Sequence, residues 1–176
     1  DGSAPAPHFK IVASPNNWSK QRSRVSGPKL SPKTVKYQAF FQSLIDDLRL
    51  NHQFTNAKIG QPQSYYFFAS GWGSISYAAT FASGDRASVQ LYIDKEKEWN
   101  EQLFDHLETL RPEIESDLRV TLTWERLNGH NACRVALYRD GSIEDDEPSL
   151  DETRSWMISK LLEFKRVFGP RLATNA

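Results

Sequence analysis

Apolar residues recur at helical spacing in some stretches of this chain and at alternate positions in others, and the switches between the two predict the order of its elements. Ser31 followed by Pro32 is typical of an N-cap and a first-turn proline. The residues that follow predict a helix from about Pro32 to Leu50, with an apolar stripe at Tyr37, Phe40, Phe41, Leu44, Ile45 and Leu48.

Three antiparallel strands are predicted to follow this helix. An unbroken aromatic run suits a buried strand, and two further apolar runs flank a hairpin signal at Ser83-Gly84-Asp85. The predicted strands are Tyr65–Ala69, Ile75–Phe81 and Ala87–Asp94.

A second amphipathic helix occupies the run KEKEWNEQLFDHLETLRPEIESD, which starts at Lys95. Pro112 lies inside its apolar stripe, and proline removes a backbone donor and clashes with the preceding turn. We therefore expect a kink or a break after Leu110.

The last third of the chain predicts two more strands and a closing helix. Apolar positions alternate at Val120, Leu122 and Trp124, and again at Cys133, Val135 and Leu137 after an Asn128-Gly129 turn. Ser149 and Glu152 then form a capping box for a helix that Gly169-Pro170 is predicted to end.

The predicted order is α-β-β-β-α-β-β-α, which specifies an α+β fold with a five-stranded, mainly antiparallel sheet and helices on one face. The other face is then available for binding or for a partner domain. We place this single domain at residues 31–172, after a basic interdomain segment or arm at 1–30 and before a tail at 173–176.

Composition limits the class of protein. The chain has 176 residues, 39% of them hydrophobic and 12% aromatic, which suffices for one core and not for two ordinary domains. Its single Cys excludes an internal disulfide framework and fits a reducing cytoplasm, where we expect the protein to reside. No apolar run approaches the ~20 residues needed to span a bilayer, so no membrane association is expected. Because the sequence starts at Asp1 rather than Met, we expect it to be part of a longer polypeptide.

A net charge of zero hides an asymmetry between the two ends of the chain. Residues 1–60 contain nine Lys or Arg and three Asp, whereas residues 61–176 contain thirteen Lys or Arg and nineteen Asp or Glu. The basic segment is rich in Ser, Pro and Gly and is expected to be irregular. It is either a solvated linker or an arm that contacts the phosphates of DNA, through Lys20, Arg22, Arg24, Lys29, Lys33 and Lys36.

Tryptophan supplies two recognition candidates. Trp99 and Trp124 fall on apolar stripes and are predicted to pack in the core. Trp72 lies between two glycines in a turn, and Trp18 follows Asn16-Asn17 in the basic segment. An aromatic residue in a loop either serves recognition or folds back over the core.

No catalytic constellation is found in the sequence. The acidic run at 144–147 is consecutive in one loop, whereas a nuclease-type metal site needs carboxylates that converge from separate elements. Negative charge before a helix N-terminus is favourable, and we assign the run that role. We predict no catalytic residues, no metal site and no cofactor.

The segments PAPHFKIVASPNNWSK, from Pro5, and IEDDE, from Ile143, together with the closing KRVFGPRL and the strand and helix runs above, resemble the bacterial and archaeal domain of unknown function 4268. The resemblance covers nearly the whole chain. It implies a C-terminal domain that usually follows a domain with a PD-(D/E)XK nuclease-like fold, and it implies no catalytic residue.

Together these observations lead us to expect a non-catalytic accessory domain of a nuclease-like protein, which engages nucleic acid or positions the catalytic domain. The alternative is a protein-interaction or dimerisation module unrelated to nucleic acid. Expected partners are DNA, the nuclease-like domain of the same polypeptide, or a second copy of the chain.

Overall fold

A computed structural model describes residues 30–127 and 129–173 of the chain. This part contains four helices and five strands, an α+β fold whose order matches the prediction. We name them α1 (Pro32–Leu50), β1 (Tyr65–Ala69), β2 (Ile75–Ala82), β3 (Arg86–Ile93), α2 (Lys97–Thr109), α3 (Arg111–Leu118), β4 (Thr123–Leu127), β5 (Ala132–Asp140) and α4 (Glu147–Ala173).

The start of α1 is determined by an N-cap hydrogen bond and a proline in the first turn. The Ser31 hydroxyl accepts a hydrogen bond from the Thr34 backbone N–H at 3.2 Å, and Pro32 takes the first helical position. Phe41, Leu44 and Ile45 are fully buried along one side of the helix. The predicted bounds of α1 are therefore confirmed.

The second predicted helix is two helices. α2 ends at Thr109 and α3 starts at Arg111, with Pro112 in its first turn and Leu110 between the two. This confirms the predicted break, since proline is tolerated in a first turn and not in a helix interior. Arg119, in the left-handed conformation at φ 55°, ends α3.

β4 is shorter than predicted. It starts at Thr123, so Val120 and Leu122 precede the strand although they share its alternation. The Leu122 backbone N–H donates to the Glu115 carboxylate at 3.0 Å instead of to a neighbouring strand. A side chain of α3 thus competes with the ladder for this donor and delays the strand.

The bounds predicted for the last helix are wrong at both ends. α4 starts at Glu147, and its first turn is capped by Asp146, whose carboxylate accepts the Ser149 N–H at 3.1 Å. At the other end the helix continues through Pro170 to Ala173. Leu172 is only 2% exposed, so packing against the core holds the last turn where sequence signals predict an end.

The five strands form one sheet in the order β1-β2-β3-β5-β4, and all neighbours are antiparallel. Position for position, Phe67 pairs with Ala78, Ala78 with Gln90, Gln90 with Ala136 and Ala136 with Thr123. β3 is central, and β1 and β4 are the two edges.

All four described helices pack on one face of this sheet, as predicted. Their buried apolar residues join those of the strands in one core cluster, in which Tyr77 of β2 and Val89 of β3 are fully buried. Residues 75, 77, 79 and 81 of β2 all belong to this cluster, and residues 76, 78 and 80 do not. The sheet therefore has a helix-covered face and a second face, which none of the described helices covers and which we call the open face. No described helix has an apolar stretch of membrane-spanning length.

Candidate functional site: the open face of the sheet

The open face combines aromatic and polar side chains from all five strands. Strand alternation and register assign it Tyr65 and Phe67 of β1, Ser76, Ala78 and Thr80 of β2, Arg86, Ser88, Gln90 and Tyr92 of β3, Thr123 and Glu125 of β4, and Arg134, Ala136 and Tyr138 of β5.

Three aromatic rings form a continuous row at the β1 side of this face. The centroids of Tyr65 and Phe67 are 5.3 Å apart, and those of Phe67 and Tyr92 are 5.2 Å apart. Phe67 and Tyr92 stand on strands separated by β2, so their rings meet above the small β2 side chains, among which Ala78 is fully buried. Tyr65 and Phe67 remain 41% and 43% exposed. We call Tyr65, Phe67 and Tyr92 the aromatic row.

A short hydrogen-bond network occupies the middle of the open face. The hydroxyls of Thr80 and Ser88 lie 2.7 Å apart, and the Gln90 amide donates to the Ser88 hydroxyl at 2.9 Å and to Thr80 at 3.3 Å. Ser88 is fully buried and Gln90 is 4% exposed. These mutual bonds satisfy polar groups that would otherwise be costly to bury.

An ion pair crosses the opposite side of the open face. Arg134 donates two hydrogen bonds to Glu125, which is directly across the ladder, and the Tyr138 hydroxyl donates to the same carboxylate at 3.2 Å. The hydrogen bond from Arg134 holds the pKa of Glu125 below its ordinary value, and Tyr138 contributes in the same direction. Burial raises the pKa of Tyr138. The Arg86 guanidinium lies over the Tyr138 ring, 4.7 Å from its centroid.

The open face is therefore aromatic on one side and nearly charge-balanced on the other. Glu125 neutralises Arg134, whereas Arg86 stacks on a ring and has no ion-pair partner among the described residues. Stacking rings, a guanidinium plane and hydroxyl groups allow such a surface to bind flat or extended polar molecules. They provide no nucleophile paired with a base.

A family model described as a domain of unknown function (DUF4268) matches residues 36–172. The chain belongs to this family. No curated protein and no solved structure matches the chain.

The basic residues predicted from the DUF4268 sequence are divided between two regions. Lys20, Arg22, Arg24, Lys29 and the recognition candidate Trp18 lie outside the described residues. Lys33 and Lys36 lie in the first turns of α1, and thus on the helix-covered side of the sheet. Lys33 is exposed, and Lys36 forms an ion pair with Glu144. These two lysines are not part of the open face.

Trp72 lies in the β1–β2 loop, partly buried against the core. The Ser70 hydroxyl fixes this loop, since it accepts from the Trp72 N–H at 3.0 Å and donates to the Ile75 carbonyl at 2.7 Å. Trp72 and Trp99 line a shared cavity of about 240 Å³ together with Lys95, whose ammonium lies over the Trp99 ring. The structure thus places Trp72 beside the core and away from the aromatic row.

Three of the four side chains in the acidic run at 144–147 form hydrogen bonds within the DUF4268 domain. Glu144 binds Lys36, Asp145 accepts the Ser142 N–H at 2.8 Å, and Asp146 caps α4. The hydrogen bond from Lys36 lowers the pKa of Glu144, and hydrogen bonds from Ser149 lower that of Asp146. Among the described residues, no group of three or more His, Cys, Asp or Glu side chains is arranged to hold a metal ion.

Sequence reasoning did not single out the residues that define the open face. The continuous aromatic run predicts a buried strand, and this is wrong for Tyr65 and Phe67, which are exposed. Their exposure follows from the edge position of β1 together with their place on the open face, since Phe68 of the same strand is buried on the other face. The pairing of Glu125 with Arg134 was accessible in principle, since both flank the Asn128-Gly129 turn of a predicted hairpin.

Proposed function

We propose that this chain is a non-catalytic accessory domain that engages single-stranded nucleic acid on the open face. The observation that carries the proposal is the aromatic row, in which the Phe67 ring contacts both Tyr65 and Tyr92 and in which Tyr65 and Phe67 are more than 40% exposed. Exposed rings on a sheet accept unstacked bases, and each stacked base contributes about 1–3 kcal/mol.

The remaining groups of the open face are compatible with this ligand. Arg86, held over Tyr138, offers a guanidinium to a phosphate or to a base plane. Tyr65 and Tyr92 of the row also carry hydroxyl groups, which can bond base edges or sugars. Because Arg134 is neutralised by Glu125, the face itself supplies few phosphate contacts. Most of its binding energy would therefore come from stacking.

The basic segment adds the electrostatic part of the proposal. Lys20, Arg22, Arg24 and Lys29, together with Lys33, would contact phosphates without regard to sequence. Lys36 contributes less, since Glu144 already binds it. The accessory role rests on the resemblance to domains that accompany a nuclease-like domain, and this chain would hold or position the strand on which such a domain acts.

The test is oligonucleotide binding by Phe67 variants. A labelled single-stranded oligothymidine is titrated with the wild-type chain, Phe67→Ala and Phe67→Leu, with fluorescence anisotropy as the readout. Both variants should weaken binding by about tenfold, since leucine keeps the apolar surface and loses the stacking plane. Ile59→Ala, at a position 65% exposed outside the sheet, is the matched control and should bind as wild type.

A second candidate function is protein interaction, favoured by the near-neutral charge of the open face. Tyr and Arg are enriched at protein interfaces, and a face whose ion pair is internally satisfied is suited to contact a partner domain. Oligonucleotide binding that is absent, or unaffected by Phe67→Leu, would overturn the nucleic-acid proposal. The open face would then be assigned to a protein partner, including the nuclease-like domain itself.

A further inference from the structure

Among the described strands β1 is paired on one side only, so its outer edge presents backbone groups in a regular order. Position 64 pairs with Phe81 through a backbone hydrogen bond from Phe81 N–H to the Ser64 carbonyl, at 2.7 Å. In an antiparallel ladder, hydrogen-bonded and non-hydrogen-bonded pairs alternate. Tyr66 and Phe68 therefore bond to β2, whereas the N–H and C=O groups of Tyr65, Phe67 and Ala69 point away from it.

A groove of about 480 Å³ runs beside this edge. Phe67 and Phe68 both line it, and since they point to opposite faces of the sheet, the groove lies at the strand's edge and not above one face. Its far wall is the segment 54–57 that follows α1, and Lys165 of α4 closes one part of it. The groove thus has the strand on one side and a chain segment on the other.

Within the described residues, the β1 strand itself carries neither of two common protections against strand addition. Edge strands are commonly blunted by charged side chains or proline. β4, the other edge, carries Glu125 and Arg126, both in ion pairs. β1 has the sequence YYFFA, with no charge and no proline.

The charge of the groove indicates which kind of ligand it binds. Lys165 is the one charged side chain among the described residues that line it. Its ammonium lies over the Phe54 ring, 4.9 Å from the centroid, and it has no carboxylate partner among the described residues. An incoming strand with an acidic side chain at this position would supply that partner.

We propose that the β1 edge and its groove bind an extended acidic peptide segment of a partner protein by strand addition. The N–H and C=O groups of Tyr65, Phe67 and Ala69 pair with the peptide backbone, and Lys165 pairs with a carboxylate. This site uses the edge of the sheet and does not depend on the function assigned to the open face.

The test uses a capped, fluorescein-labelled heptapeptide in which Val alternates with Thr and a Glu stands at each end. Its matched control has the same sequence with the backbone nitrogens of all the Val and Thr residues methylated, which removes their donors along both edges of the extended peptide. The unmodified peptide should bind with saturation, and the methylated peptide should bind at least about tenfold more weakly.

Two variants of the chain test the same contacts from the other side. Ala69→Pro removes an outward N–H that the β2 ladder does not use, and Ala69→Val keeps it. Ala69→Pro and Lys165→Glu should each weaken peptide binding by about tenfold, and Ala69→Val should not. Thermal unfolding of each variant shows whether its fold is retained. The methylated peptide tests the same backbone contacts without any change to the chain.

Amide hydrogen exchange locates the contact. In the free chain the amides of Tyr65, Phe67 and Ala69 should exchange fast and those of Tyr66 and Phe68 slowly, and the peptide should slow the first set. No saturable binding up to about 1 mM, or equal binding of the methylated peptide, would overturn the proposal. Slow exchange at Tyr65, Phe67 and Ala69 in a free chain that sediments as a dimer would also overturn it, because a second copy would then occupy the edge.

Discussion

At the scale of single residues, Glu125 is the side chain on which the charged part of the open face depends. Its carboxylate accepts two hydrogen bonds from Arg134 and one from Tyr138. These bonds favour the ionised form, so the pKa of Glu125 is lower in the folded chain than its ordinary value of 4.5. The unfolded chain therefore binds more protons as the pH falls.

We predict a pH-dependent effect of Glu125→Gln. The stabilisation from the Glu125 carboxylate is fully present above pH 4.5 and is lost as the pH falls through the folded-state pKa. Glu125→Gln should thus lower the free energy of unfolding at pH 7 and have much less effect at pH 3, in urea unfolding. Glu152→Gln, at an exposed site on α4, is the control. An equal loss at both pH values would contradict this role of the ion pair.

The two tryptophans with contrasting sequence contexts give a second residue-scale prediction. Trp124 packs edge-on against Phe104, with centroids 5.8 Å apart, and its indole N–H donates to Glu115 at 3.2 Å. Trp72 is partly buried and makes no side-chain hydrogen bond among the described residues.

Trp124→Ala should therefore cost about 3–5 kcal/mol of unfolding free energy, and Trp72→Ala should cost less. Trp124→Phe keeps the ring contact and loses the hydrogen bond, and should cost about 1–3 kcal/mol. Urea unfolding of the three variants at one pH measures their free energies of unfolding and thus ranks the three losses. If Trp72→Ala is as damaging as Trp124→Ala, the loop is part of the core and its recognition role is excluded.

At the scale of elements, the segment between α1 and β1 is held to α1 by close packing at Gly60. A Cβ atom on Gly60 would lie 2.6 Å from the Gln42 backbone nitrogen and 2.7 Å from the Gln38 carbonyl oxygen. The Gly60 N–H also donates to the Gln42 side chain at 2.8 Å. Both of the atoms near that Cβ belong to the α1 backbone, which cannot move out of the way as a flexible side chain could.

Gly60→Ala should consequently destabilise the chain by about 1–3 kcal/mol, since the segment must move away from α1. Gly73→Ala is the matched control, because nothing lies within 4 Å of its added Cβ. The two variants are compared by thermal unfolding. A Gly60→Ala variant as stable as Gly73→Ala would mean that the 55–64 segment adjusts freely.

Elements set by local signals were predictable from the sequence, and those set by competition were not. Ser31 and Pro32 fixed the start of α1, and Pro112 fixed the break between α2 and α3. The start of α4 depended on whether Asp146 or Ser149 became the cap, and the start of β4 on a bond from Leu122 to Glu115. Both contacts are short in sequence, at three and seven residues, but the apolar pattern does not show which of several competing local hydrogen bonds forms.

The open face illustrates the same limit for a site. Phe67 and Tyr92 are distant in sequence, and they meet because β2 lies between their strands and carries small side chains there. Alternation predicted that one face of the sheet would be free of helices. To predict which residues meet on that face, one must also know the strand order and the register.

At the scale of the whole molecule, the basic segment and the open face would contribute to nucleic-acid binding in different ways. Each phosphate contact lowers the logarithm of the binding constant by about 0.7 per decade of salt for a single strand, whereas stacking adds little salt dependence. The open face supplies Arg86 as its unpaired cation among the described residues.

Deleting residues 1–30 removes five basic residues, among them the four candidates Lys20, Arg22, Arg24 and Lys29. If these four contact phosphates, the salt slope for oligothymidine should become shallower by about 3 units. The effect of Phe67→Leu should persist in the shortened chain. An unchanged slope would identify the segment as a linker, and anisotropy titrations at several salt concentrations distinguish the two.

The uncharged edge of β1 also has a consequence for handling the protein. Outward-pointing backbone groups on a strand without charge or proline are a template for self-pairing, so the chain kept without a partner at high concentration is at risk of aggregation. A lysine in place of Ala69 would place a charge on that edge without using a donor of the β2 ladder. Such a variant should stay soluble at concentrations where the wild-type chain precipitates, which suits it to crystallisation and spectroscopy.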